Sequence, residues 1–114
     1  MDDFFALNNR KGIDVLTVYN LLNEIANRDM MLAVETRIAD GISNFIVDLS
    51  EIDYMNSVGI NFLIKMKHRA KECGGGLAIA NASPRVQQLL EVTKLRPMFH
   101  LADSVDEALK FLAG

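Results

Sequence analysis

The sequence is poor in several features, and each shortage excludes a class of protein. It has a single cysteine, Cys73, so an internal disulfide framework of the extracellular kind is excluded. No apolar run approaches the ~20 residues that a membrane-spanning helix needs. The first residues carry two aspartates and no basic segment, which is unlike a secretory signal peptide. We therefore expect a cytoplasmic protein without membrane insertion.

Basic residues are in the minority. The chain has 12 Lys and Arg against 15 Asp and Glu, which gives a formal net charge of −3. A nucleic-acid-binding domain usually presents a strongly basic face, and a polybasic membrane surface needs clustered Lys and Arg. The charge balance favours neither, so we expect no direct contact with nucleic acid.

The common signatures of enzymes are also missing. There is no GxGxxG or GxxxxGK[ST] nucleotide loop and no GxSxG elbow. His68 lies among lysines and arginines and His100 among apolar neighbours, and neither setting is typical of a metal ligand. Asp48 and Asp53 flank one loop, where capping or turn hydrogen bonds account for them. We expect no enzymatic activity, no metal and no cofactor.

The residues that are present predict one α/β domain over residues 1–114. Half of the 114 residues are apolar, enough for a core at this size. Apolar and β-branched runs alternate with amphipathic stretches, which predicts a mixed, mostly parallel sheet of four or five strands with about four helices packed on it, in the order β-β-α-β-α-β-α-β-α. Strands are predicted at 4–7, 13–19, 44–49, 77–80 and 99–101, and helices at 27–40 and 57–73, from 84 onward and after 104.

Four helix starts are indicated by residues that favour the N-cap position. Asn27, Ser57, Ser83 and Ser104 each precede a predicted helix, and Ser83 is followed by Pro84, which suits the first helical position. A side-chain oxygen at the N-cap accepts hydrogen bonds from backbone N–H groups of the first turn.

The most informative segment joins the strand at 44–49 to the helix at 57–73. It ends in Asn56-Ser57-Val58-Gly59, and Ser57 stands where an N-cap is expected. Simple capping by Ser57 explains that residue without any further function. Gly59 is harder to explain, because glycine in a helix costs about 1 kcal/mol relative to alanine. Its presence indicates that something approaches the backbone closely there.

The same helix has a wide apolar arc. At about 100° per residue, its apolar side chains sweep roughly 240° of the circumference, more than one face of a sheet requires. Val58, Phe62 and Met66 form one edge of that arc. This edge either contacts a partner outside the core or is covered by neighbouring helices, and the pattern favours neither.

Two stretches resemble the signature of STAS domains. FIVDLSEIDYMNSVGINFLI is similar to the family's strand ending in Asp-Leu-Ser, its loop, and the Met-Asp-Ser-x-Gly that opens a helix. GGGLAIANASPRVQQLLEVTKLRPMF resembles the family's glycine-led strand, Ser-Pro helix start and Leu-x-x-Thr-x-Leu run. The resemblance covers about residues 13–112 and implies the STAS fold.

The resemblance also implies a function, that of an anti-sigma factor antagonist. In such proteins the motif serine is phosphorylated by a partner anti-sigma factor that is also a serine kinase, and a serine phosphatase reverses the modification. The unphosphorylated antagonist binds the kinase and frees the sigma factor. By position, the phosphoacceptor is Ser57. The predicted partner-binding residues are Asp53, Met55, Asn56, Ser57, Val58, Gly59, Phe62 and Met66.

The chain departs from the family pattern at two places. Asn56 stands where the family usually has Asp, and Asn20 and Asn23 stand where it often has Gly and Asp. Two alternatives therefore accompany the antagonist function. One is a STAS subunit docked on a transporter or lipid-transport complex without phosphorylation, and the other is a STAS domain that binds a nucleotide or another small molecule.

Overall fold

The computed structural model describes residues 4–20 and 23–113. Those residues form five strands and four helices in the predicted order, so the expected α/β architecture is confirmed. The strands are β1 (Phe5–Arg10), β2 (Ile13–Val18), β3 (Phe45–Asp48), β4 (Leu77–Ala80) and β5 (His100–Ala102). The helices are α1 (Glu24–Ala39), α2 (Ser57–Glu72), α3 (Pro84–Val92) and α4 (Val105–Ala113), and a 3-10 turn at Arg96–Met98 precedes β5.

The five strands form one sheet in the order β1-β2-β3-β4-β5. β1 and β2 are an antiparallel hairpin, and the other neighbours pair in parallel. The hairpin turns through Lys11 and Gly12, both at positive φ (56° and 86°). A two-residue turn of this kind matches the twist of the flanking strands. β1 extends to residue 10 rather than 7, because the turn occupies only these two residues.

Helices cover both faces of the sheet, and the middle strands are consequently apolar throughout. Every residue of β4 and the first three of β3 are buried. One buried cluster joins one face of the sheet to α1, α2 and α3. A smaller cluster on the other face contains Ala108 of α4. Strands buried on both faces are the expected result of parallel pairing with helical crossovers.

The start of α1 differs from the prediction. The N-cap is Asn23, not Asn27, and the helix begins three residues earlier. Asn23 has an extended backbone, and its Oδ1 accepts from the N–H groups of Ile25 and Ala26 at 2.7 and 3.3 Å. Asn27 lies inside the helix, where its Nδ2 donates to the carbonyl of Val58 at 2.9 Å. Both asparagines have a suitable side chain, and the tertiary contact of Asn27 decides between them.

The end of α2 uses the glycine run that follows it. Gly74 has φ 82°, a conformation that L side chains rarely adopt. Its N–H and that of Gly75 donate back to the carbonyls of Lys71 and Ala70, the Schellman arrangement that closes a helix. A Cβ at Gly75 would overlap the backbone of Ser43, so this position admits only glycine without a backbone shift.

An ion pair joins α1 to α2. The guanidinium of Arg69 donates to both oxygens of Glu35, at 2.6 and 2.7 Å. These hydrogen bonds lower the pKa of Glu35 below its ordinary value of 4.5. The two side chains remain about one-third and two-fifths exposed, so the pair orients the helices more than it stabilises them.

Candidate functional site

The loop between β3 and α2 lies at the carboxyl edge of the parallel strands and is anchored in the core. Leu49, Ile52 and Met55, spaced by three residues, are all buried. The N–H of Leu49 donates to the carbonyl of Ala80, which continues the pairing with β4. These anchors fix the loop, so the polar residues between them have defined positions.

The start of α3 holds the same loop from the other side. The Ser83 hydroxyl donates to the carbonyl of Asp53 at 2.7 Å and accepts from the N–H of Val86, the predicted N-cap bond. Arg85 pairs with the Asp53 carboxylate at 2.9 Å and lies over the ring of Tyr54 at 5.0 Å. Tyr54 is 47% exposed, which places an aromatic surface three residues before Ser57.

The N-cap of α2 is Asn56 and not Ser57, which corrects the expected cap. Asn56 has an extended backbone, and its Oδ1 accepts from the N–H groups of Val58 and Gly59 at 3.0 and 3.4 Å. Ser57 is the first residue of the helix and is exposed. Within residues 4–20 and 23–113, its hydroxyl has no hydrogen-bond partner. The Ser57 hydroxyl is therefore exposed at a helix N-terminus and takes no part in capping it.

The electrostatics of this helix start favour an anion. The first turn of α2 contains no acidic residue. Backbone N–H groups and the positive end of the helix dipole stabilise negative charge at such a position. The nearby carboxylate of Asp53 is already paired with Arg85.

Removing the Asn56 cap is expected to lower stability measurably. Asn56→Ala leaves two backbone N–H groups of α2 without their acceptor, which costs about 1 kcal/mol. The melting temperature should fall by about 4 °C for a domain of this size. Asn56→Asp is the control, because it keeps the acceptor oxygen and adds a charge that the helix N-terminus favours. An unchanged melting temperature in Asn56→Ala would contradict the assignment of the cap.

The structure divides the predicted partner-binding residues into two groups. Asp53 and Ser57 are exposed, and Asn56 and Val58 are partly exposed. The others are buried: Met55, Gly59, Phe62 and Met66. Of these four, only Phe62 borders the groove described below.

The expectation of an outward-facing edge on α2 is therefore wrong for Phe62 and Met66, each 1% exposed. Met30 and Val34 of α1 belong to the same buried cluster, so the wide apolar arc faces α1 as well as the sheet. A helix packed on two sides needs such an arc.

A groove runs between the first halves of α1 and α2, beside Ser57. It has a volume of about 620 Å³, and its walls carry apolar and charged side chains from both helices. The sequence did not predict it, because its two walls come from α1 and α2, which are separated in the chain by β3 and its connecting loops. The lining residues are Glu24, Ile25, Asn27, Arg28, Met31, Val58, Asn61, Phe62 and Lys65.

Over the described ranges, no three His, Cys, Asp or Glu side chains converge as a metal-ligand set. None of the helices formed by these residues is both long and apolar enough to cross a bilayer.

Comparison with known families identifies the class of protein that this fold and helix start define. The STAS domain model matches residues 5–108, and the chain belongs to the STAS family. The family resemblance seen in the sequence is thereby confirmed.

Relatives with similar sequence or structure carry related names. "Putative anti-sigma factor antagonist BtrV" of Bordetella bronchiseptica is 19% identical over 97 residues, 85% of this chain and 84% of that protein. TM1081 of Thermotoga maritima is also described as a putative anti-sigma factor antagonist. Its crystal structure superposes with a TM-score of 0.86 at 17% identity, covering 96% of this chain and 95% of the other. Unphosphorylated SpoIIAA, titled an anti-sigma factor antagonist, gives a TM-score of 0.80 at 20% identity with 96% of both chains covered. The phosphorylated form of SpoIIAA, from Bacillus, gives 0.72 at 19% identity, covering 94% of this chain and 97% of that one.

Proposed function

We propose that this chain is an anti-sigma factor antagonist whose binding is switched by phosphorylation of Ser57. The unphosphorylated chain binds an anti-sigma factor that is also a serine kinase, and so regulates transcription indirectly. The observation that carries the proposal is the Ser57 hydroxyl, which is exposed at the start of α2 and has no hydrogen bond to any described residue, while Asn56 provides the cap.

The proposed modification is a simple phosphoryl transfer. The kinase moves the γ-phosphoryl group of ATP to Oγ of Ser57, releases ADP, and accepts the hydroxyl proton. A serine phosphatase hydrolyses the ester and restores the hydroxyl. The chain itself supplies the acceptor and the docking surface, and it acts by binding rather than by catalysis, in the cytoplasm.

The arrangement around Ser57 supports a switch that leaves the fold intact. Asn56 holds the first turn of α2 without using the Ser57 hydroxyl. A phosphate of about −1.5 to −2 charges on Ser57 is tolerated there by the helix N-terminus. Asn56 adds no negative charge beside the phosphate, whereas the Asp that is usual in the family would.

Two kinds of relative support the same proposal. The printed name of BtrV describes an anti-sigma factor antagonist, and SpoIIAA has been solved in both phosphorylated and unphosphorylated forms. At identities of 19–20%, these relatives support the proposal and do not establish it. The exposed Ser57 at the start of α2 is the feature of this chain that fits the function named for them.

The experiment that tests the proposal is phosphorylation in vitro. The purified chain is incubated with ATP and each anti-sigma factor kinase of the source genome, and the intact mass and modified residue are determined. One phosphate on Ser57 is expected, and Ser57→Ala should incorporate none. Ser50→Ala is the matched control, since Ser50 is an exposed serine of the same loop with no hydrogen bond to its hydroxyl within the described ranges.

An unchanged mass with every kinase, or a phosphate on another residue, would overturn the switch. The phosphate-independent docking subunit would then become the better hypothesis, because it uses the same fold and surface without modification.

A further inference from the structure

The groove between α1 and α2 carries unneutralised positive charge on an acidic protein. Four arginines are paired with carboxylates: Arg10, Arg37, Arg69 and Arg85. Arg28 of α1 and Lys65 of α2 both line the groove, are exposed, and have no ion pair within the described ranges. Among the described residues that line it, Glu24 is the only acidic one. The whole chain has a net charge of −3, so the groove is a locally positive site on a negatively charged protein.

The groove also offers apolar contact area. Ile25 is 58% exposed on one wall, and Met31 and Val58 are partly buried along it. A surface that combines apolar contacts with two free cations is complementary to a segment carrying both apolar side chains and carboxylates.

The proposed function favours a peptide as the occupant. The partner is a protein, and a peptide segment of it brings carboxylates and apolar side chains together, which matches the two cations and the apolar wall of the groove.

We propose that this groove receives an acidic segment with an apolar anchor from the partner anti-sigma factor. This inference rests on the function proposed above and identifies where and by what chemistry that partner binds. Ser57 directly precedes Val58 of the groove wall. A phosphate on Ser57 therefore places negative charge beside a groove that receives carboxylates, and repels the segment.

The test measures the affinity of the purified anti-sigma factor kinase for the unphosphorylated chain and its variants by calorimetry. Arg28→Glu and Lys65→Glu should each weaken binding about tenfold, since each removes an attraction and adds a repulsion. Ile25→Asp should also weaken it about tenfold or more, because it places a charge in the apolar contact. Raising the salt concentration should weaken binding of the wild type more than that of Arg28→Glu.

Lys71→Glu is the matched control. Lys71 is an exposed lysine of the same helix outside the groove, without an ion pair within the described part of the chain, so the variant has the same change in net charge. It should alter the affinity less than twofold. Circular dichroism melts of all variants establish that the fold is retained.

The outcomes separate the groove from the function. If no anti-sigma factor binds or phosphorylates the wild type, the proposed function fails and the groove assignment with it. If the wild type binds and the groove variants bind within twofold of it, or if Lys71→Glu is equally weakened, the groove assignment alone is overturned. Sedimentation of the chain without a partner provides one more test. A dimer that dissociates in the Arg28→Glu variant would assign the groove to a second copy of the chain and contradict the proposal.

Discussion

Phe62→Ala is expected to lower the free energy of unfolding by about 3–5 kcal/mol, the usual effect of truncating a buried phenylalanine. Phe62 is 1% exposed and belongs to the cluster that joins α1 and α2 to the sheet. Its loss leaves a cavity in that cluster, which the neighbouring side chains can fill only by moving. At about 4 °C per kcal/mol, the melting temperature should fall by roughly 12–20 °C.

Phe111→Ala provides the matched comparison for that result. Phe111 of α4 is 51% exposed and stacks on the ring of His100 with centroids 3.6 Å apart. Its truncation should cost about 1 kcal/mol or less, because it removes one ring contact and little buried area. Thermal unfolding followed by circular dichroism measures both variants. If Phe62→Ala melted with the wild type but lost affinity for the partner, Phe62 would be a contact residue, as the sequence pattern alone allowed.

Phosphorylation of Ser57 is expected to weaken partner binding about 100-fold or more while the domain stays folded. When Arg28 and Lys65 are paired with carboxylates of the partner, a dianion on Ser57 loses hydration in the packed interface without a cation of its own, and this costs several kcal/mol. Each 1.4 kcal/mol corresponds to about a tenfold change in affinity. The start of α2 accommodates the charge, so the melting temperature of the phosphorylated chain should change by only a few degrees.

Calorimetry with the phosphorylated and unphosphorylated chains measures this effect, and far-UV circular dichroism monitors the fold. Ser57→Ala should bind like the unphosphorylated chain, and Ser57→Asp should fold normally and bind poorly. Ser50→Asp supplies the control for a new charge in the adjoining loop. Equal affinity of the phosphorylated and unphosphorylated chains would contradict the proposed switch. A loss of helical signal on phosphorylation would mean that the switch operates by unfolding the domain.

Several features of this protein were predictable from the sequence because their physical causes are local. The order of strands and helices follows from the alternation of apolar runs with amphipathic stretches, and it is confirmed. The caps at Ser83 and Ser104 also hold, since each hydroxyl accepts from an N–H three residues ahead. The Glu107 carboxylate near the second cap accepts from the N–H of Asp103, again within one turn of chain.

Other features depended on contacts between distant parts of the chain, and these only the tertiary structure decided. Asn27 and Ser57 are chemically competent caps, yet Asn27 is bonded to Val58, 31 residues away, and Asn56 takes the cap next to the buried Met55. The apolar arc of α2 did not show which of its residues α1 covers, because the sequence of one helix does not specify which other helix packs against it. The groove with Arg28 and Lys65 exists only where two helices meet. Local hydrogen bonds and apolar periodicity depend on residues that are close in the sequence. Burial and surface charge depend on contacts between elements that are distant in the sequence.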